Sequence, residues 1–243
     1  MEKSLLSCGS AIIDSLLGGG FEKNIITTVY GPSGSGKTNI CVLAAATTVI
    51  RGKKVIYIDT EGGFCVDRMQ QISPDYKTIL ASCIFFSPTT FAEQKEVFEK
   101  LHLTINDDIG LIIVDTISML YRLELGKSDD IPSVNRELGG QLSVLAEITR
   151  KKNIPVLITN QVYANFDDKN RLNMVGGDIL KYSSKCLVEL CRNDDRRSAV
   201  LRKHRSMPDG AEVLFRIIND GIIEDTRTVV KPSAVRFYDN REL

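Results

Sequence analysis

The stretch GPSGSGKT, Gly31 to Thr38, limits what this chain can fold into more than any other. It matches the spacing G-x-x-x-x-G-K-[ST], with a Val/Ile-rich run before it and a helix-forming segment after it. Glycines let successive backbone N–H groups close around phosphate oxygens, and the positive end of the following helix adds to the attraction. Lys37 is placed to neutralise β and γ phosphates, and Thr38 to offer its hydroxyl to Mg²⁺. The expected nucleotide-binding residues are therefore Gly31, Pro32, Ser33, Gly34, Ser35, Gly36, Lys37 and Thr38, with ATP and Mg²⁺ as cofactors. A loop of this kind needs a strand to deliver it and a helix to carry it away, which points to an α/β architecture.

The rest of the chain agrees. Short runs rich in Val and Ile alternate with longer amphipathic stretches, the pattern of a parallel sheet covered by helices. Strands are predicted over 24–30, 54–59, 83–86, 110–115 and 154–159, and helices over 36–51, 64–72, 90–103 and 132–152. The pair Gly139-Gly140 is expected to weaken the last helix locally. After residue 160 strand-like segments at 185–191, 198–203 and 213–218 are separated by Asn-Asp-Asp and Pro-Asp-Gly turns, which favour hairpins. The expectation is one core over residues 1–225, its parallel sheet continuing into an antiparallel extension, and a charged tail over 226–243. No internal repeat or low-complexity segment interrupts the 243 residues.

Charge excludes less than it might. Lys plus Arg and Asp plus Glu both number 31, so net charge gives no push toward nucleic acid or membrane, and such a case must come from local clusters. The N-terminus has an early Glu and no sustained apolar core, and Ile40 to Ile50 is too short to span a bilayer. No membrane partner is expected. The six cysteines form no C-x-x-C pair and mostly sit in apolar runs, the usage of reduced thiols in a cytoplasmic protein.

Acids and amides end the apolar strands. In an open α/β sheet, ligands bind beyond the carboxyl ends of the strands. LIIVD delivers Asp115 there, a natural partner for the magnesium shell. YIDTEGG delivers Asp59 and Glu61. Glu61, just past the strand end with Gly62 and Gly63 behind it, is the candidate base that orients and deprotonates water. Asp59 holds the strand end or a water behind the first shell. ITNQV ends its strand on Gln161, for which two readings stand side by side. It donates to the γ-phosphate and reports its loss to the next loop, or it simply caps a strand.

Together LLGGGFEKNIITTVYGPSGSGKT, YIDTEGGF, LIIVDTIS, ITNQV and GGDIL resemble the RecA superfamily, in its archaeal and eukaryotic recombinase branch, over about residues 8–224. The resemblance implies a RecA-like P-loop ATPase core with a mostly parallel central sheet and an antiparallel C-terminal extension. It assigns Lys37 and Thr38 to phosphate and magnesium, Glu61 to hydrolysis, Asp115 to the metal, and Gln161 to sensing the γ-phosphate at the head of a DNA-binding loop, 162–176. That loop carries Tyr163, Phe166, Lys169 and Arg171, rings and cations suited to single-stranded DNA. Lys181 to Arg205 adds eight Lys or Arg against three acids. Such a run is read either as a DNA-binding surface or as a solvated basic face.

Two departures shape the expected function. No room is seen before the first strand for the helical DNA-binding domain of full recombinases. None of the nine phenylalanines is followed by Ala three residues on, as in the Phe-x-x-Ala segment through which those proteins self-assemble. The expectation is an ATP-binding accessory protein of homologous recombination and DNA repair with weak ATP hydrolysis, nucleoid-associated, with the cell's main recombinase as partner. Alternatives are an ATP-switched protein-binding module and a signalling ATPase without a nucleic acid role. Lys203 and Arg205, two apart in KHRSMPDG, resemble cation pairs that other RecA-fold ATPases insert into a neighbour's nucleotide site in a homo-oligomer. Both also fit as surface charges on a basic edge.

Overall fold

The structure is a computed structural model, and it describes residues 5–164, 172–193 and 196–227. Phe166, Lys169, Arg171 and tail residues 228–243 lie outside the described residues. The chain opens with β1 (Leu5–Leu6), α1 (Ala11–Leu16), β2 (Phe21–Glu22) and β3 (Ile26–Tyr30). The nucleotide half follows with α2 (Lys37–Ile50), β4 (Lys54–Asp59), α3 (Val66–Ile72), α4 (Tyr76–Ala81), β5 (Cys83–Phe86), α5 (Phe91–Thr104) and β6 (Ile109–Asp115). Then come α6 (Met119–Leu125), α7 (Ile131–Lys152), β7 (Val156–Asn160), β8 (Val162–Ala164), β9 (Leu172–Met174) and α8 (Gly177–Ser183). Four strands finish it: β10 (Cys186–Asn193), β11 (Arg196–Lys203), β12 (Glu212–Ile218) and β13 (Gly221–Glu224).

Nine strands form the main sheet in the order β13-β12-β11-β10-β3-β7-β6-β4-β5. From β10 to β5 every neighbouring pair is parallel. From β10 outward through β11, β12 and β13 every pair is antiparallel. This is the RecA-like core, mostly parallel with an antiparallel C-terminal extension, that the sequence implied.

The central strands are apolar along their whole length because both faces are covered. Alternation divides them between two cores. Val55 and Tyr57 of β4, and Leu111 and Ile113 of β6, pack with α1, α2 and the buried residues of α3 and α4. Ile56, Ile58, Ile112 and Val114 point the other way, against α5, α6, α7 and α8.

All the predicted strands of the main sheet form, with ends shifted by a residue or two. The short helices α1, α4, α6 and α8 and the edge strand β13 were not predicted. Gly139 and Gly140 do not interrupt α7, which runs 22 residues. Its start is fixed by the Asp130 carboxylate, which accepts from the Ser133 N–H at 3.0 Å, and by Pro132 in the first turn. Arg150, Lys151 and Lys152 sit in its last turn, where cations suit the helix dipole.

Candidate nucleotide site

The phosphate loop leaves β3 at Gly31 and enters α2 at Lys37. Gly34 (φ 71°) and Gly36 (φ 112°) adopt left-handed backbone that a side chain would strain. At Gly31 a Cβ would stand 2.4 Å from the Leu190 carbonyl oxygen, so β10 can pack against the loop only where that residue is glycine. Lys37 Nζ donates to the carbonyls of Gly31 and Pro32, both at 3.0 Å. Burial lowers its pKa, while the charges of Glu61 and Asp115 push it back up. The lysine and both carboxylates thus share one electrostatic pocket.

Asp115 is buried at the end of β6. Its carboxylate accepts from Tyr57 OH at 3.1 Å and Thr159 Oγ1 at 2.5 Å. Burial pushes its pKa up; hydrogen bonds from Thr159, Thr38 and Tyr57 pull it back down, and the Glu61 charge adds a final upward push. Thr38, in the first turn of α2, lies close enough to Asp115 to act on its carboxylate. Glycines at the left-handed positions, a cation beside them and this hydroxyl–carboxylate pair fit a nucleoside triphosphate with its divalent ion.

Asp59 does something else. Its Oδ1 accepts from the N–H groups of Glu61 (3.2 Å) and Gly63 (3.1 Å), and Oδ2 from Phe64 N–H (3.0 Å). It ties down the turn that presents Glu61. The carboxylate of Glu61 stands exposed at the rim, and its Oε1 accepts from Thr116 Oγ1 at 2.9 Å and from Gln161 Nε2 at 2.6 Å. Residues 100 positions apart in sequence meet because β4, β6 and β7 are neighbours in the sheet.

Gln161 is anchored on both sides. Its N–H donates to Ser118 Oγ at 3.3 Å, and its carbonyl accepts from Val175 N–H at 3.1 Å. Asn160 Nδ2 donates to the Val175 carbonyl at 2.9 Å. The predicted loop 162–176 starts and ends as an antiparallel hairpin, with Val162 opposite Met174. Met174, Leu187 and Val162 pack on Tyr30, the residue preceding Gly31. Tyr163 lies in β8 and is 52% exposed.

Lys203 and Arg205 lie at the other end of the sheet. Lys203 Nζ donates to the carbonyls of Lys181 (2.6 Å) and Ser184 (2.8 Å), closing the C-terminus of α8. Arg205 pairs with the Glu22 carboxylate and donates to Asn24 Oδ1 at 2.9 Å, just before β3 begins. The basic run from Lys181 to Arg205 is not one face, since Arg202 is paired with Glu189 and Lys181 with Asp178. Among the described residues of the run, those in its middle reach the nucleotide rim. There Arg197 Nε donates to the Gly34 carbonyl at 3.1 Å, and Arg192 stands opposite Arg197 across the hairpin.

Sequence reasoning missed the hydroxyl groups. Tyr57, Thr116 and Thr159 each contact a predicted carboxylate. The available signal was position: each lies at or beside the carboxyl end of a strand already expected to face the ligand.

Among the described residues, no helix is long and apolar enough to cross a membrane. The Rad51 family pattern matches residues 2–225. A DNA repair and recombination protein RadB of Methanobrevibacter smithii is 43% identical over 219 residues, covering 87% of this chain and 92% of the relative. A RadB of Methanococcus maripaludis is 43% identical over 213 residues, covering 87% and 97%. A crystal structure of the RadB recombinase superposes with a TM-score of 0.76 at 37% identity, covering 91% of this chain and 100% of that one. With so much of its length matched, the chain belongs to the Rad51 family.

Proposed function

We propose that this chain is an ATP-binding, DNA-associated accessory protein of homologous recombination and DNA repair that hydrolyses ATP slowly. The observation that carries the reading is the meeting of Glu61 and Gln161 beside the phosphate loop, with Asp115 at the end of the neighbouring strand. Rad51 and RecA family members are ATPases, and the relatives are named as DNA repair and recombination proteins.

Backbone N–H groups from Gly34 to Thr38 and the Lys37 ammonium bind and align the triphosphate. Thr38 and Asp115 would hold Mg²⁺, which would neutralise charge on the β and γ phosphates. Glu61 takes a proton from the attacking water, whose oxygen bonds to the γ phosphorus as the bond to the bridging oxygen breaks and ADP leaves. Gln161 gives its amide to the γ-phosphate and carries the change to the hairpin bearing Tyr163.

Single-stranded DNA is the proposed nucleic acid partner, through Tyr163, Phe166, Lys169 and Arg171. The main recombinase of a cytoplasmic, nucleoid-bound assembly is the proposed protein partner. Lys203 and Arg205 reach a neighbouring subunit's nucleotide only if their contacts to α8 and to Glu22 open, which fits slow turnover in an isolated subunit. ATP hydrolysis measured with and without single-stranded DNA tests the reading. Magnesium-dependent turnover that DNA stimulates is the expected result, and the same turnover indifferent to DNA would overturn it.

A further inference from the structure

Glu61 is an exposed side chain beyond the last residue of its strand, yet a general base must be held close to one geometry. Two groups hold it, and they differ in kind. Gln161 is a partly exposed amide whose proposed task is to move to the γ-phosphate. Thr116 is buried, 1% exposed, and immobilised by neighbours. Thr60 Oγ1 donates to the Thr116 carbonyl at 2.7 Å and accepts from the Thr116 N–H at 3.0 Å. The Thr60 N–H in turn donates to the Asp115 carbonyl at 3.0 Å. The ends of β4 and β6 are thus stitched together one residue past Asp59 and Asp115, which stand opposite each other in the sheet.

From this geometry we infer that Thr116 is the positioning residue of Glu61, and that Gln161 is its exchangeable partner. The inference rests on the reading of Glu61 as the base. Both bonds converge on Oε1, and Oε2 accepts none among the described residues. Oε2 is then the oxygen that takes the proton from water. When the amide of Gln161 transfers to the γ-phosphate, the bond from Thr116 keeps the carboxylate aimed. Without it the same transfer would release the base just when it is needed. Thr116 touches no reacting atom; it acts through Glu61.

Two variants test this. Thr116→Val keeps the shape and removes the hydroxyl, whereas Thr116→Ser keeps the hydroxyl. In Thr116→Val, turnover should fall ~10- to 100-fold, the effect of a misplaced catalytic group. Affinity for a fluorescent ATP analogue should stay within about twofold, because uniform binding is untouched. Thr116→Ser should restore turnover. A second readout needs no hydrolysis: the carboxyl ¹³C resonance of Glu61, assigned by its loss in Glu61→Gln, should move in Thr116→Val and return in Thr116→Ser. Turnover at the parental rate in Thr116→Val, or a Glu61 resonance that does not move, would overturn the inference. A parental protein that hydrolyses no ATP would sink the reading of the base, while the resonance would still decide the bond from Thr116.

Discussion

Gln161 Nε2 lies 2.6 Å from Glu61 Oε1, so the proposed phosphate sensor is bonded to the proposed base. Either the amide holds the carboxylate or it binds phosphate, and that choice couples the nucleotide to the hairpin that follows Gln161. Coupling of this kind is a differential affinity between two states and is reciprocal. In Gln161→Ala, ATP should still bind, but affinity for single-stranded DNA should no longer differ between ATP and ADP. Fluorescence anisotropy of a labelled oligonucleotide under both nucleotides measures this. A nucleotide-dependent difference equal to the parental one would contradict it.

Tyr163 offers its ring on the strand nearest the sensor, half exposed and free to stack. Its replacement by Ala should weaken single-stranded DNA binding by ~1–3 kcal/mol, the worth of one stacked base. The loss should persist at high salt, since stacking is not screened as phosphate contacts are. Titration at two salt concentrations checks both statements, and equal affinities at both would make the ring structural.

Gly139 and Gly140 stand in mid-helix, and a Cβ at either would meet nothing within 4 Å. Ala should fit without strain and remove backbone freedom from the unfolded chain. Each substitution should stabilise the fold by about 0.5–1 kcal/mol. Urea denaturation would show a raised midpoint at unchanged slope; a lowered midpoint would mean that the bare helix face is needed by the native packing.

Asp225 closes the strand that ends the sheet. Its N–H donates to the Leu214 carbonyl, and its carboxylate accepts from the Arg227 guanidinium at 2.6 and 2.7 Å. The Arg227 hydrogen bonds pull its pKa from the ordinary 3.8 to about 2. A folded value below the unfolded one means stability that is fully present above about pH 4 and lost as pH falls through 2. Asp225→Asn should therefore lower the unfolding midpoint at neutral pH, and the gap to the parental protein should close between about pH 4 and 2. A gap independent of pH would show that the pairing contributes nothing.

The sequence made the carboxylates legible because each ends an apolar run, and strand ends share one rim in an α/β sheet. The hydroxyl groups that hold those carboxylates carried only the signal of position at strand ends, which names no partner. Thr116 reaches Glu61 only through the register that sets Asp59 opposite Asp115, and register is a property of two strands together. Helices α4 and α8, of 6 and 7 residues, are too short for a periodic apolar stripe to declare them. Lys203 and Arg205 show a different limit. A spacing of two puts side chains on one face only within a strand, and β11 ends at Lys203, so the two side chains find separate partners.

The account stands most directly on Glu61, and one substitution isolates it. Glu61→Gln preserves shape and keeps an oxygen for Thr116, but removes the basicity that water activation needs. Single-turnover hydrolysis of ATP, measured beside equilibrium binding of the same nucleotide, separates the two properties. The predicted result is parental magnesium-dependent ATP affinity with turnover reduced at least ~100-fold, the lower end of the range for loss of a general base. Hydrolysis continuing at the parental rate would contradict the account.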